Sequence, residues 1–144
     1  MILSCLPNLG QKEFQEKMIS KGRTCVILDS KDYMPRLAPA ESRLKKFRES
    51  YLNAIKENID KNVDYIVVEF NGVHDIMTEN DIDFTIVFPA DILESKWLED
   101  IKAEKVLNDD VMDSIAMNII KTIDRIPMPQ IQLGYDCKLS DAIH

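Results

Sequence analysis

The sequence has little of what several classes of protein require. No window approaches the roughly 20 apolar residues of a membrane-spanning helix, and residues 1–7 offer neither a basic leader nor an apolar run long enough for a signal peptide. Its three cysteines, Cys5, Cys25 and Cys137, form no Cys-x-x-Cys pair with metal-ligand spacing. We therefore expect a cytoplasmic protein with reduced thiols, no membrane partner and no bound metal.

Positive charge is also scarce. The formal net charge is −7, which argues against nonspecific binding to the phosphates of DNA or RNA. The basic side chains that are present cluster in one segment, at Arg43, Lys45, Lys46 and Arg48. A solvated helix face is the simpler explanation of this cluster, and the overall acidity leaves a protein partner open.

The order of apolar segments predicts the fold class. The chain has 144 residues, of which 45% are hydrophobic and 30% charged, as in a globular protein. Short apolar runs alternate with longer segments of helical period, which predicts βαβ units. We expect a single three-layer α/β domain, residues 1–144, with a mainly parallel sheet of five strands at residues 1–5, 24–28, 65–69, 84–88 and 131–135.

Helices are predicted between these strands. We expect three helices at residues 11–21, 41–60 and 72–80. A fourth should begin at a capping box formed by Asp91 and Glu94, and a fifth should run from residue 109 or 110 to 126. The tail should add a helical turn. Glu13 should pair with Lys17, and residues 31–40 should form a loop that is either a lid or a surface excursion. Three apolar stripes should face the core, and they are Leu44, Phe47, Tyr51, Ile55 and Ile59; Leu93, Trp97 and Ile101; and Val111, Ile115, Ile119, Ile123 and Ile126.

The segment after the first strand has the context of a phosphate-binding loop. Ligands of α/β sheets bind where strands end and helices begin, and a P-loop places G-x-x-x-x-G-K-[ST] between a strand and a helix. Residues 5–12 keep that length but only the second glycine, Gly10. Cys5 replaces the first glycine, Gln11 replaces the lysine, and Lys12 replaces the serine or threonine.

With these segments in view, the chain resembles the small P-loop kinase-like proteins encoded by bacteriophages, whose members look like Leu-Pro-Gly-Ser-Gly-Lys-Ser near the start. The similarity extends over nearly the whole chain. It is carried by Leu6-Pro7-Asn8-Leu9-Gly10, by Asp29-Ser30, by residues 59–68 and 82–89, and by the closing Leu139-Ser140-Asp141.

The resemblance implies a P-loop kinase-like fold and ancestry in enzymes that move a phosphate between nucleotides. If activity is retained, it implies ATP and Mg²⁺ as cofactors, with Lys12 and Glu69 as catalytic residues and Glu69 in the place of a Walker B acid. The residues that it assigns to nucleotide binding are Asn8, Leu9, Gly10, Gln11, Lys12, Asp29 and Ser30. Solvated acids or helix caps remain the simpler interpretation of Asp29 and Glu69. His74 could be a base near that edge, but a surface histidine is the simpler interpretation.

Four departures from the family pattern argue that phosphoryl transfer is lost. Gln11 removes the charge that stabilises the transferred group, and Lys12 leaves Mg²⁺ without its hydroxyl ligand. Cys5 and Asn8 add side chains where glycine would let the backbone approach a phosphate. Finally, residues 97–105 contain lysines but no arginine to clamp phosphates.

We therefore predict a degenerate phage-type P-loop protein that acts by binding a protein or a nucleotide, for example as an inhibitor of a host enzyme or defence system. One alternative is an active nucleoside monophosphate kinase or nucleotide phosphohydrolase in which Lys12 substitutes for the missing lysine. A third hypothesis is a mimic of nucleic acid that uses the acidic surface to occupy a DNA-binding protein.

Overall fold

A computed structural model describes residues 1–70, 72–104 and 108–144. One residue of the segments singled out above, Lys105 at the end of the arginine-free segment, lies outside the described residues.

Five strands form one sheet, in which all neighbours are parallel. The strands are β1 (Ile2–Cys5), β2 (Cys25–Ile27), β3 (Tyr65–Glu69), β4 (Thr85–Pro89) and β5 (Gln130–Leu133). The described α-helices are α1 (Gln11–Ser20), α2 (Ala40–Asp60), α3 (His74–Glu79), α4 (Lys96–Glu104), α5 (Asp109–Asp124) and α6 (Leu139–Ala142). This architecture confirms the prediction of an α/β fold with a five-stranded parallel sheet. No helix in the described ranges is long and apolar enough to cross a membrane.

The strand order β2-β3-β1-β4-β5 positions the candidate site. Right-handed crossovers place α1 on one face of the sheet and the helices that follow β2, β3 and β4 on the other. In agreement, α1 packs against α6, α2 against α3, and α4 against α5. The chain leaves β1 towards β2 but leaves the neighbouring β3 in the opposite direction, towards β4. The carboxyl ends of β1 and β3 therefore flank a topological switch point, where α/β proteins bind ligands.

The predicted stripe of α2 is correct in the middle and wrong at both ends. Phe47, Tyr51 and Ile55 are buried, but Leu44 is 64% exposed and Ile59 is 40% exposed. The 21-residue helix is about 31 Å long, whereas the five residues of β3 span only about 17 Å. Its ends consequently extend past the sheet, which leaves Leu44 and Ile59 largely exposed.

The predicted inward face of α5 is also wrong in its first two turns. Val111 and Ile115 are 45% and 41% exposed, and the buried residues are Met112, Ala116, Ile119 and Ile123. Four residues turn an α-helix by about 400°, so side chains spaced four residues apart shift by about 40° around the helix axis at each step. The predicted positions therefore rotate by about 120° between residues 111 and 123, whereas residues 112 and 123 differ by only about 20°.

The capping box predicted at Asp91 does not form. Asp91 adopts a left-handed conformation with φ 50° and makes no capping hydrogen bond, and α4 begins only at Lys96. The cap is Ser95, whose hydroxyl accepts a hydrogen bond from the Leu98 N–H at 3.2 Å. Because a short 3₁₀ turn precedes this cap, Leu93 is 44% exposed instead of facing the core.

The ion pair predicted between Glu13 and Lys17 is absent from the described structure. The Lys17 ammonium instead donates to the carbonyl oxygens of Ser140 and Ile143 in the tail. These bonds join α1 to α6 and help to hold the tail beside the start of the chain.

Candidate functional site

The segment of residues 6–10, which we call the β1–α1 loop, turns the chain from the central strand into α1. Asn8 and Gly10 both have left-handed backbones, with φ 59° and 75°. A side chain at Gly10 would also lie 3.2 Å from Cβ of Lys138. Backbone conformation and close packing both require glycine there, which explains why the second glycine of the motif is present.

The side chain of Gln11 folds back into the β1–α1 loop. Its Oε1 accepts a hydrogen bond from the Leu9 N–H at 3.0 Å, and its Nε2 donates to the Leu6 carbonyl at 2.8 Å. An amide oxygen thus occupies a backbone donor of the kind that a P-loop offers to phosphate. An anion would have to displace Gln11 to use that donor.

All five carbonyls of the loop accept hydrogen bonds. Besides the Leu6 carbonyl, the next four carbonyls each accept one hydrogen bond. Trp97 Nε1 donates to Pro7 (2.6 Å), Lys138 Nζ to Asn8 (3.2 Å), Leu139 N to Leu9 (2.9 Å) and Phe14 N to Gly10 (3.0 Å). Three of these donors come from α4 and the tail. The loop is therefore held in one conformation by distant parts of the chain.

Helix α4 adds negative charge to the loop. Glu104 Oε2 accepts a hydrogen bond from Asn8 Nδ2 at 2.8 Å. The lysines of the same helix are paired elsewhere, Lys96 with Asp100 at 3.0 Å and Lys102 with Asp113 at 2.9 Å. Helix α4, which contains no arginine, thus contributes an acid to the loop.

The residues of the β1–α1 loop do not fit ATP with Mg²⁺. The Leu9 N–H already donates to Gln11, and the carboxylate of Glu104 lies against Asn8. Lys12 has no hydroxyl for the metal. A triphosphate and a carboxylate repel each other at such a position. Among the described residues no group of three or more His, Cys, Asp or Glu side chains is placed to hold a metal ion.

A pocket of about 220 Å³ lies beside the loop, at the switch point of the sheet. It brings together three of the predicted residues, Gln11, Asp29 and Glu69. The rest of its lining is mostly apolar and consists of Cys5, Pro7, Ile27, Leu28, Val67, Val68 and Phe70. Such a pocket suits a ligand with an apolar body and hydrogen-bond donors at its edge.

Both acids of the pocket have a structural role. Asp29 Oδ1 accepts from the Lys31 N–H at 3.0 Å and caps a short 3₁₀ helix, Ser30–Asp32. Glu69 Oε2 accepts from the Ser30 N–H at 2.6 Å. The predicted pair Asp29-Ser30 is thereby tied to the end of β3, which fixes the position of both carboxylates.

Tyr51 of α2 forms the support behind these acids. Its fully buried hydroxyl donates to the Leu28 carbonyl at 2.6 Å and accepts from the Glu69 N–H at 3.3 Å. Burial raises the pKa of the phenol, and the nearby Glu69 carboxylate raises it further. The neutral hydroxyl thus serves as a bridge between the ends of β2 and β3.

Neither the buried thiols nor His74 is placed as a reactive group. Burial raises the pKa of Cys5 to about 12 and that of Cys25 to about 11, so little thiolate forms at neutral pH. His74 stacks on Phe70 with ring centroids 4.7 Å apart, and its Nδ1 lies 3.0 Å from the Phe70 carbonyl.

The two residues predicted as catalytic do not line the same cavity. Glu69 lines the pocket, whereas the exposed Lys12 borders an open depression of about 600 Å³ at the start of α1. Asn8, Gly10 and Lys138 border that depression too, and Gln11 lines both. The Gln11 side chain therefore borders both cavities.

Sequence reasoning missed the residues that hold the loop from a distance. Trp97, Glu104 and Lys138 lie 90, 96 and 130 positions from their partners in the loop. No local pattern connects such segments. Residues 97–105 and the closing Leu139-Ser140-Asp141 were singled out from the sequence, but neither segment for contact with the loop.

The chain was compared with known protein families and with curated proteins, and neither the family models nor the curated proteins match it.

Proposed function

We propose that this chain is a degenerate phage-type P-loop kinase-like protein that acts by binding and does not transfer phosphate. One observation carries the proposal: the Gln11 side chain hydrogen-bonds both a donor and an acceptor inside the β1–α1 loop. In an active loop the corresponding lysine neutralises the transferred group, and electrostatic stabilisation is most of what such a site contributes. A neutral amide, bonded to one donor and one acceptor of the loop, supplies none of it.

A protein is the favoured partner. The pocket at the switch point holds about 220 Å³, less than the roughly 300–1,000 Å³ of ordinary small-molecule sites. It has room for one side chain of a partner or for part of a nucleotide, such as its base. In the cytoplasm of an infected cell, a phage protein of this kind would act by occupying a host enzyme or a component of host defence.

The alternative is an active nucleotide kinase or phosphohydrolase that uses ATP and Mg²⁺. The observation that favours it is the position of Lys12, which is exposed beside Lys138 on the same open depression. In this alternative Lys12 supplies the charge that Gln11 lacks, and Glu69 serves as the acid at the end of β3.

Turnover measurements separate the two proposals. The purified protein is incubated with ATP, Mg²⁺ and a panel of nucleosides and nucleoside monophosphates, alongside the variants Lys12→Ala and Lys21→Ala. Lys21 is an exposed lysine at the other end of α1 and serves as the matched control. We expect no turnover from any of the three. Turnover that Lys12→Ala abolishes and Lys21→Ala preserves would overturn the binding proposal.

A further inference from the structure

The start of α2 and the loop before it form an exposed surface with large apolar side chains. We call residues 34–46 the basic arm. Leu37 is fully exposed at 101%, Leu44 is 64% exposed and Met34 is 41% exposed. Leu44 lies one turn before the buried Phe47, so the apolar face of α2 continues onto the arm without a covering element. Large exposed apolar side chains grouped in one segment are typical of interaction surfaces.

The basic arm also differs in charge from the rest of the protein. It contains four exposed basic residues, Arg36, Arg43, Lys45 and Lys46, and one acid, Glu41, for a net charge of +3. Since the whole chain carries −7, the remaining residues carry −10. None of the ion pairs found in the described ranges uses these four cations. Their charge is therefore available to a partner.

The arm is anchored next to its first residue and bonded internally. Tyr33, next to its first residue, packs edge-on against Tyr51 with ring centroids 5.3 Å apart. Within the arm, Arg43 Nη2 donates to the Ala38 carbonyl at 3.2 Å, and Ser42 N–H donates to the Pro39 carbonyl at 3.1 Å. Because the loop is bonded to the first turn of α2, the arm would lose less conformational entropy on binding a partner than a free segment would.

We propose that the basic arm is a docking surface for a protein with an acidic rim around an apolar groove. Aliphatic side chains interspersed with cations match such a surface in both shape and charge. Single-stranded nucleic acid is less well matched, because stacking needs aromatic rings and the neighbouring Tyr33 is packed against Tyr51. An anionic membrane would attract the arm but repel the remaining −10 charges. The acidic body of a second copy would also attract the arm, so self-association is one of the outcomes that the test distinguishes.

The probe is a synthetic amphipathic helical peptide with leucines along one face and glutamates on both flanks of that face, so that apolar and acidic side chains contact the arm together. It is titrated into the ¹⁵N-labelled full chain, and amide shifts are mapped by NMR at low and high salt. Two variants test the surface, Lys45→Glu with Lys46→Glu, and Leu37→Ser with Leu44→Ser. The matched controls are Lys21→Glu with Lys121→Glu, which changes the net charge equally, and Leu93→Ser, which removes another exposed leucine.

We expect shifts concentrated in residues 34–46, a loss of affinity of about tenfold or more in either arm variant, weaker binding at high salt, and wild-type affinity in the controls. A lysine-for-glutamate version of the peptide should not bind. No binding, or shifts that map elsewhere, would overturn the inference. It would also be overturned if the arm instead bound an oligothymidine strand or phosphatidylserine vesicles, or if sedimentation showed self-association lost in the arm variants.

This inference goes beyond the proposed function, because the arm uses none of the loop residues. If the turnover panel found a kinase, the proposed function would fail while arm binding could still hold. If the acidic peptide did not bind, the docking surface would fail while the loop remained inactive.

Discussion

Replacing Gln11 tests whether its side chain closes the β1–α1 loop. Gln11→Ala deletes the bond to the Leu9 N–H and the bond to the Leu6 carbonyl. Gln11→Lys deletes the same bonds and adds the charge that an active loop carries. The matched control is Gln15→Ala, in the same helix, where the amide makes one hydrogen bond, to the Cys25 carbonyl at 3.1 Å.

The expected loss of stability follows from the bonds removed. A typical hydrogen bond contributes about 0.5–1.5 kcal/mol net, and water can reach this half-buried side chain, so we expect Gln11→Ala to cost about 1–2 kcal/mol. For a chain of 144 residues this lowers Tm by about 3–8 °C. Gln15→Ala should cost about 1 kcal/mol or less.

The assay is thermal unfolding with and without pyrophosphate. Wild-type protein and Gln15→Ala should show no stabilisation, because the loop donor stays occupied. Pyrophosphate should raise the Tm of Gln11→Lys, and that of Gln11→Ala by less; a ligand at 100 times its Kd adds about 2.7 kcal/mol. The reasoning would be refuted if pyrophosphate stabilised the wild type as strongly as Gln11→Lys.

Three further predictions concern the support of the site. Tyr51→Phe should destabilise by about 1–3 kcal/mol in urea unfolding, because two buried backbone groups lose their partner; an unchanged midpoint would contradict the bridge. Leu139→Ala should cost about 2–4 kcal/mol and the exposed Ile19→Ala under about 0.5; equal losses would show that the tail is not packed. Unfolding returns the raised pKa of Cys5 to its usual 9.0, so the free energy of unfolding should fall as pH rises from about 9 towards 12. Between pH 9 and pH 11 the wild type should lose about 2–3 kcal/mol more than Cys5→Ala. Parallel curves of stability against pH would contradict this.

The sequence was sufficient to predict the fold class because the strands are short buried runs of β-branched residues. β3 and β4 carry such runs, and every connection between strands is long enough for a helix. Parallel pairing follows from those lengths. The likeness to P-loop kinases beyond this architecture stays a prediction.

Helix faces were harder to predict where the helix leaves the core. Leu44 fits the periodicity of α2, but periodicity cannot tell how far the sheet extends beneath a helix. In α5, residues 111 and 112 both begin acceptable apolar series, and packing against α4 and the 3₁₀ turn before it selects the second. Local pattern thus predicts that a helix has an apolar face, while tertiary contacts decide which residues complete it.

The location of the candidate site could be predicted from the sequence, but the hydrogen bonds within it could not. The loop after β1, Asp29 and Glu69 were all singled out, and the pocket brings Gln11 together with both acids. The inward rotation of the Gln11 amide depends on a rotamer and on the left-handed backbone at Asn8. Sequence spacing specifies neither, and the bonds from α4 and the tail come from too far along the chain.

The central claim is that the β1–α1 loop is closed to phosphate, and calorimetry tests it most directly. ATP, GTP and deoxynucleoside monophosphates are titrated into the purified protein with and without Mg²⁺, while fluorescence of Trp97, the single tryptophan, reports on its bond to Pro7. We predict no Mg²⁺-dependent heat and no change in fluorescence. Micromolar, Mg²⁺-dependent binding accompanied by a change at Trp97 would contradict the account.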